Sequence, residues 1–273
     1  MRYTVIGSQG FIGSHLVQYL RAAGHDCLTP PRDYREVIDE ALGHVVYCVG
    51  VTADFRRRPM DTVEAHVCHL LPLLRSGRFE TLLYLSSTRI YASSGRPDAE
   101  LIVDPANPDH LYNVSKMMGE AICLSARPET CRVVRLSNVF GSDLHSDNFL
   151  SSIVRAALEA GRVDLSTDLN SERDYLDVYD AVGALAEIAT RGRQRIYNLA
   201  FGSNRTTAQL VDVLRRETGC EVNVPPGAPT VRFPQIDIAA VRTEFGFRPR
   251  DVLAALPDLV QKFRMGLTHN DSN

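Results

Sequence analysis

Val5-Ile6-Gly7-Ser8-Gln9-Gly10-Phe11-Ile12-Gly13-Ser14-His15 decides the fold. Ahead of it, Arg2-Tyr3-Thr4-Val5-Ile6 is β-branched or aromatic apart from Arg2 and reads as a buried strand. Behind it, Leu16, Val17 and Leu20 recur at helical spacing. Strand, glycine turn and helix together form the setting of a dinucleotide site. A glycine has no Cβ to obstruct a sharp turn, a pyrophosphate, or the packing of helix on strand. The helix amino terminus then offers unpaired N–H groups to phosphate oxygens. Cofactor contacts are expected at Gly7, Gln9, Gly10, Phe11, Ile12 and Gly13.

The remaining chain alternates strands and helices, so the expected fold is α/β: a doubly wound parallel sheet (Rossmann) with a smaller C-terminal substrate domain. His25–Thr29 reads as a second strand, Tyr34–Leu42 as a short helix, and His44–Val49 as the next buried strand. Pro59–Ser76 reads as one long helix, followed by a strand at Thr81–Leu85. Ligands meet parallel sheets beyond the carboxyl ends of the strands, so Val49, Gly50, Val51 and Thr52 are expected to line the cofactor. A carboxylate at the end of the second strand binds the ribose 2′-OH of NAD, whereas an arginine accommodates a 2′-phosphate. That end reads Thr29-Pro30-Pro31-Arg32 and favours NADP over NAD; an arginine exposed on a loop is the alternative.

Composition narrows the function. The chain has 273 residues, 44% of them hydrophobic and 23% charged, the values of a folded globular protein. The net charge of -3 provides no basic field, and nucleic acid is not expected as a partner. The six cysteines have no C-x-x-C spacing, no metal-ligand set is visible, and a reducing cytoplasm is expected. No stretch has the make-up of a signal peptide or a bilayer-spanning helix, so no membrane association is expected.

The chemistry is signalled by Tyr112-Asn113-Val114-Ser115-Lys116 at the start of a helix expected over about 111–126. Residues four apart share a helix face, which brings an ammonium near a phenol. A positive charge favours phenolate and lowers a tyrosine pKa from about 10, making the phenol usable as a general acid and base. His66 and His69 on the preceding helix read as packed or solvated side chains.

With these motifs in place, the sequence resembles the extended short-chain dehydrogenase/reductase family of nucleotide-sugar epimerases, dehydratases and reductases. Leu85-Ser86-Ser87-Thr88-Arg89-Ile90-Tyr91 is similar to its Ser-Ser-x-x-Val-Tyr segment. Val133–Gly141, Arg173-Asp174-Tyr175, Ile196–Ala200 and Asp237–Pro249 resemble its later signatures. The resemblance implies Ser87, Tyr112 and Lys116 as the catalytic set, with Lys116 also on the nicotinamide ribose. It implies Asn138 and Arg173 on a substrate diphosphate, with Thr88 and Arg232 as further substrate contacts. His145 lies in a polar stretch near the expected sugar pocket, where a surface histidine is the other reading. The expected domains are 1–140 with a return segment 175–201, and 141–174 with 202–273. The family's four-helix contact implies a homodimer.

The departures select the reaction. The 4,6-dehydratases carry Asp-Glu after the catalytic Thr, where Thr88 and Arg89 stand here; neither eliminates water as an acid–base pair. Double epimerases of the GDP-fucose type carry Cys in the place of Arg89. His66 stands where the family has Asn, and the second helix and third strand of the family are nearly absent, as in its reductases. The expected function is therefore a nucleotide-sugar 4-ketoreductase using NADPH. A 4-epimerase with tightly held NAD, and a non-catalytic cofactor-binding regulator, are the alternatives.

Overall fold

The computed structural model describes all residues except 52–53, 92–102, 144–145, 147 and 271–273, and the side chains of 268–270. Thr52 and His145 thus lie outside the described residues. In chain order the first half comprises β1 (Arg2–Ile6), α1 (Phe11–Ala22), β2 (Asp26–Leu28), β3 (Ala41–Tyr47), α2 (Pro59–Val63), α3 (Leu70–Ser76), β4 (Arg78–Ser87), α4 (Pro108–Ala126) and β5 (Cys131–Leu136). There follow β6 (Asn138–Phe140), α5 (Phe149–Glu159), β7 (Arg162–Asp164), β8 (Glu172–Arg173), β9 (Tyr175–Asp177), α6 (Val178–Arg191) and β10 (Ile196–Leu199). The chain closes with β11 (Arg205–Thr206), α7 (Thr207–Thr218), β12 (Glu221–Asn223), α8 (Ala239–Phe245) and α9 (Val252–Asn270).

The main sheet has six parallel strands in the order β2-β1-β3-β4-β5-β10. Its strands are buried on both faces, and side chains alternate between them. On β4, Leu83 and Leu85 join Val5, Val46 and Val134 beneath Leu16 and Leu20 of α1 and Val182, Leu185 and Ile188 of α6. Leu82 and Tyr84 point the other way, with Ile6, Val45 and Tyr47, onto Leu70, Leu73 and Leu74 of α3 and Cys123 of α4. Each fully buried side chain of this kind contributes about 1.5–3 kcal/mol. A third cluster unites α5, α7 and α9 through Leu150, Val154, Leu210, Leu214, Leu256 and Phe263.

β1 lies between β2 and β3, so the chain changes direction across the sheet at β1. That switch point opens a crevice at the carboxyl ends of β1 and β3. The sheet ends at β2, in agreement with the shortened second unit.

Three local expectations fail. Tyr34–Leu42 is not a helix: a single 3₁₀ turn spans Tyr34–Val37, and β3 already begins at Ala41. Pro59–Ser76 is not continuous, because a π-helical turn spans Glu64–Cys68, with His69 N–H donating to Glu64 O at 2.9 Å. Pro72 has no N–H to give to the carbonyl four residues back, and the ladder widens one turn ahead of it. α4 starts at Pro108 rather than near Leu111, because Asn107 Oδ1 accepts from Asp109 N–H and Pro108 suits the first turn.

Candidate active site

The glycine turn forms a cradle. Gly7 has φ +86°, and a Cβ on it would lie 3.1 Å from Cys48 C and Val49 N. The turn therefore rests directly on the end of β3, bringing Gly7 and Val49 together. A Cβ on Gly13 would lie 2.2 Å from Gly7 O. Gly10 caps α1 with no side-chain hydrogen bond, so the first N–H groups of this helix remain open toward the crevice. Gly13→Ala is expected to destabilise the fold by about 1–3 kcal/mol through overpacking and to abolish dinucleotide binding. Urea unfolding and NADPH titration check both effects.

Ser87 ends β4, and its hydroxyl is near enough to the Tyr112 phenol to pull that group's pKa down. Tyr112 is 3% exposed and packs against Phe55 and His66, with ring centroids at 4.9 and 5.2 Å. Lys116 is buried and donates from Nζ to Leu85 O at 2.9 Å. A Cβ on Gly50 would sit 3.3 Å from Lys116 Nζ and 3.5 Å from His66 Nε2. The structure thus draws Ser87, Tyr112, Lys116, Gly50 and the glycine cradle to one end of the sheet.

The electrostatics differ from expectation at one point. Burial pushes the Tyr112 phenol above its usual range; the nearby Ser87 hydroxyl and Arg89 guanidinium pull it down. Lys116, expected to lower the tyrosine pKa, donates one N–H to Leu85 O. The pKa of Lys116 is itself lowered to about 8 by burial, partly countered by Glu120. Between pH 8 and 10.5 the folded chain therefore binds fewer protons at Lys116 than the unfolded chain. Stability rises with pH across that window, and below it the buried charge is a cost. Lys116→Met is expected to stabilise the protein by roughly 2 kcal/mol at pH 7. The gain should fade as pH approaches the unfolded-state value, and urea midpoints at several pH values check it.

His66 is the residue that sequence reasoning read as ordinary. It is fully buried, its Nδ1 is 2.8 Å from Ser115 Oγ, and Ser115 Oγ donates to Tyr112 O. Burial and Lys116 push its pKa down to about 2, so it is neutral. With Nδ1 as donor, Nε2 is an acceptor; it is buried without a partner, on the Gly50 side. Its standing where the resembled family carries Asn was its one signal in the sequence. An unpaired acceptor, a glycine cradle and an open helix terminus suit a dinucleotide.

The other expected contacts lie further out. Thr88 follows Ser87 and is partly buried; Arg32 is exposed after β2. Asn138 Nδ2 donates to Asp174 O at 2.8 Å. The Arg173 guanidinium lies over Phe149 at 4.7 Å and Phe233 at 5.9 Å, with Nη1 buried and unpaired. Arg232 is exposed on a segment that bridges to Glu172, beside Arg173.

The sequence model of the NAD dependent epimerase/dehydratase family matches residues 3–200. The GDP-6-deoxy-D-mannose reductase of Pseudomonas aeruginosa is 30% identical over 243 residues, covering 78% of this chain and 79% of the relative. The dTDP-6-deoxy-L-talose 4-dehydrogenase (NAD(P)(+)) of Kitasatospora kifunensis is 27% identical over 295 residues, covering 92% of each. Among solved structures, RMD from Pseudomonas aeruginosa complexed with NADPH superposes with a TM-score of 0.81 at 26% identity, over 97% of this chain and 99% of that one.

Proposed function

The chain belongs to the NAD-dependent epimerase/dehydratase family, and from that premise we propose that it is an NADPH-dependent reductase of a nucleotide sugar, acting on a 4-keto group. The observation that carries the reading is the meeting of Ser87, Tyr112 and Lys116 beside the glycine cradle. Relatives named as reductases and dehydrogenases of 6-deoxy nucleotide sugars support the substrate class. Arg32 at the end of the β2 loop, with no carboxylate before Asp33, supports NADPH, as does the relative complexed with NADPH.

A nicotinamide bound in the crevice would supply the hydride. The chain does the rest. Ser87 holds the carbonyl oxygen by hydrogen bonding, and Tyr112 transfers its phenolic proton to that oxygen as it gains charge. Lys116, at Gly50, would hold the ribose, and His66 Nε2 could accept from one of its hydroxyls. Positioning of this kind converts binding energy into rate. Arg173, with its free Nη1 between two aromatic rings, is the proposed diphosphate ligand, with Asn138 and Arg232 at the same edge. In this reading the α5–α7–α9 cluster forms the core of the substrate domain, and 1–140 with 175–201 the cofactor domain. The exposure of Met60 (81%) and Met118 (48%), on α2 and α4, supports a homodimer through these helices.

The test runs the reaction in reverse. The purified protein is given GDP-6-deoxy-D-mannose or dTDP-6-deoxy-L-talose with NADP⁺ or NAD⁺, and nicotinamide absorbance is followed. Nicotinamide reduction that requires added NADP⁺ is the expected result. Conversion of a nucleotide sugar to its epimer without added cofactor would replace this reading with a 4-epimerase.

A further inference from the structure

We propose that Tyr47 and Tyr84 are positioning residues that act through His66: their hydroxyls hold the π-helical turn so that His66 Nε2 stands in the cofactor crevice. The proposal rests on the reading of that crevice as a dinucleotide site. Tyr47 of β3 donates to Ala65 O at 2.7 Å, and Tyr84 of β4 donates to His66 O at 3.1 Å. Their rings stack, with centroids 5.9 Å apart and planes inclined by 18°. Tyr34, in the 3₁₀ turn before β3, donates to His69 O. Three phenols thus converge on the turn Glu64–Cys68 and the residue that ends it. Single π-helical turns are rare and concentrate at functional sites.

α4 completes the arrangement. Gly119 leaves room for the Tyr84 hydroxyl: a Cβ there would collide with Tyr84 Oη and lie 2.7 Å from His66 O. One turn earlier, Ser115 Oγ donates to Tyr112 O at 3.0 Å, and so accepts from His66 Nδ1 at 2.8 Å. That fixes the tautomer, with the proton on Nδ1 and Nε2 bare. Nε2 is buried without a partner. The point that a Cβ on Gly50 would fill is 3.5 Å from Nε2 and 3.3 Å from Lys116 Nζ. One acceptor and one donor therefore flank the same small gap. A hydroxyl both donates and accepts, and satisfies the two together. In the proposed complex that group is a hydroxyl of the dinucleotide ribose.

A buried acceptor without a partner costs free energy, and the imidazole keeps this orientation only where its surroundings hold it. The tyrosines supply the hold. Burial pushes all three phenols above the usual tyrosine value, so they stay protonated and donate. Phenylalanine in place of Tyr47 or Tyr84 keeps the stacked rings and removes one donor. The π-helical turn then loses a bond that fixes its path, and Nε2 no longer keeps its place at Gly50. Tyrosines that only filled the core would affect stability and leave the cofactor untouched.

The test is a double-mutant cycle on NADPH affinity, read by nicotinamide fluorescence with the full-length protein. Tyr84→Phe and His66→Leu are each expected to weaken binding roughly fivefold, the worth of one hydrogen bond. Once His66 is replaced, Tyr84→Phe should have no further effect, because it acts through that ring. Tyr47→Phe takes the same place in the cycle should Tyr84→Phe not fold. Nitrogen magnetic resonance of histidine-labelled protein gives a second readout, the His66 signals being those missing from His66→Leu. NADPH should shift the bare Nε2 signal of the wild type, and Tyr84→Phe should diminish that shift. NADPH affinity unchanged by Tyr84→Phe, or weakened equally with and without His66, overturns the proposal. An Nε2 signal that NADPH does not move assigns the gap to water and overturns it as well. Wild-type protein that binds NADPH yet reduces no nucleotide sugar overturns the reductase reading instead, and leaves the cycle to decide on the tyrosines.

Discussion

Tyr112→Phe should lower turnover by at least about a thousandfold while NADPH affinity stays at the wild-type value. The substitution removes one oxygen and nothing else. The ring continues to fill its place between Phe55 and His66, and the cofactor cradle at Gly7–Gly13 is built by other segments. Ser87 cannot take over, because a serine hydroxyl is a far weaker acid than a phenol beside a guanidinium. Turnover and NADPH binding measured on the same preparation separate the two outcomes. A variant with near-normal rate would remove the phenol from the mechanism, and a variant without NADPH binding would give Tyr112 a structural part.

The second large effect is on stability. Glu120 and Arg135 are each 4% exposed and form a bidentate pair, Nη2 to Oε2 at 2.7 Å and Nε to Oε1 at 3.0 Å. Arg135 Nη1 donates onward to the Tyr91 hydroxyl at 2.9 Å, Tyr91 donates to Asn198 Oδ1, and Asn198 Nδ2 donates to Asp237 O at 2.9 Å. The network ties α4, which carries Tyr112 and Lys116, to the turn that carries Arg89. Glu120→Ala leaves the guanidinium buried with no counter-charge and should cost about 3–5 kcal/mol in urea unfolding. Glu120→Met combined with Arg135→Met should cost much less, because it removes both charges and keeps the volume. A small loss in the single variant would mean that water reaches Arg135.

The parts of this molecule that were legible in its sequence are those governed by short-range patterns. The strand–glycine–helix opening, the apolar run of β4 and the four-residue spacing of Tyr112 and Lys116 all appear where the sequence places them. The site around them depends on contacts made across long separations. Ser115 and His66 lie 49 positions apart, and Glu120 and Arg135 belong to a helix and a strand whose approach no local pattern encodes. The tyrosines on the π-helical turn come from β3, β4 and the 3₁₀ turn before β3, and no local pattern brings them together. Local errors had local causes as well: Pro72 breaks a helix whose apolar stripe continues through it, and Asn107-Pro108 starts α4 before its apolar face begins. The direction of Lys116 could not be read from spacing, since sharing a helix face with Tyr112 leaves Nζ free to choose the Leu85 carbonyl.

In the proposed function this protein reduces a nucleotide-sugar ketone with hydride from added NADPH. This is tested most directly with NADPH carrying deuterium at the transferring position, a 4-keto-6-deoxy nucleotide sugar, and mass and magnetic-resonance analysis of the product. The expected product carries one deuterium on sugar carbon 4, with one equivalent of NADP⁺ formed for each sugar reduced. A product without deuterium, or a sugar converted with no NADPH consumed, would contradict it.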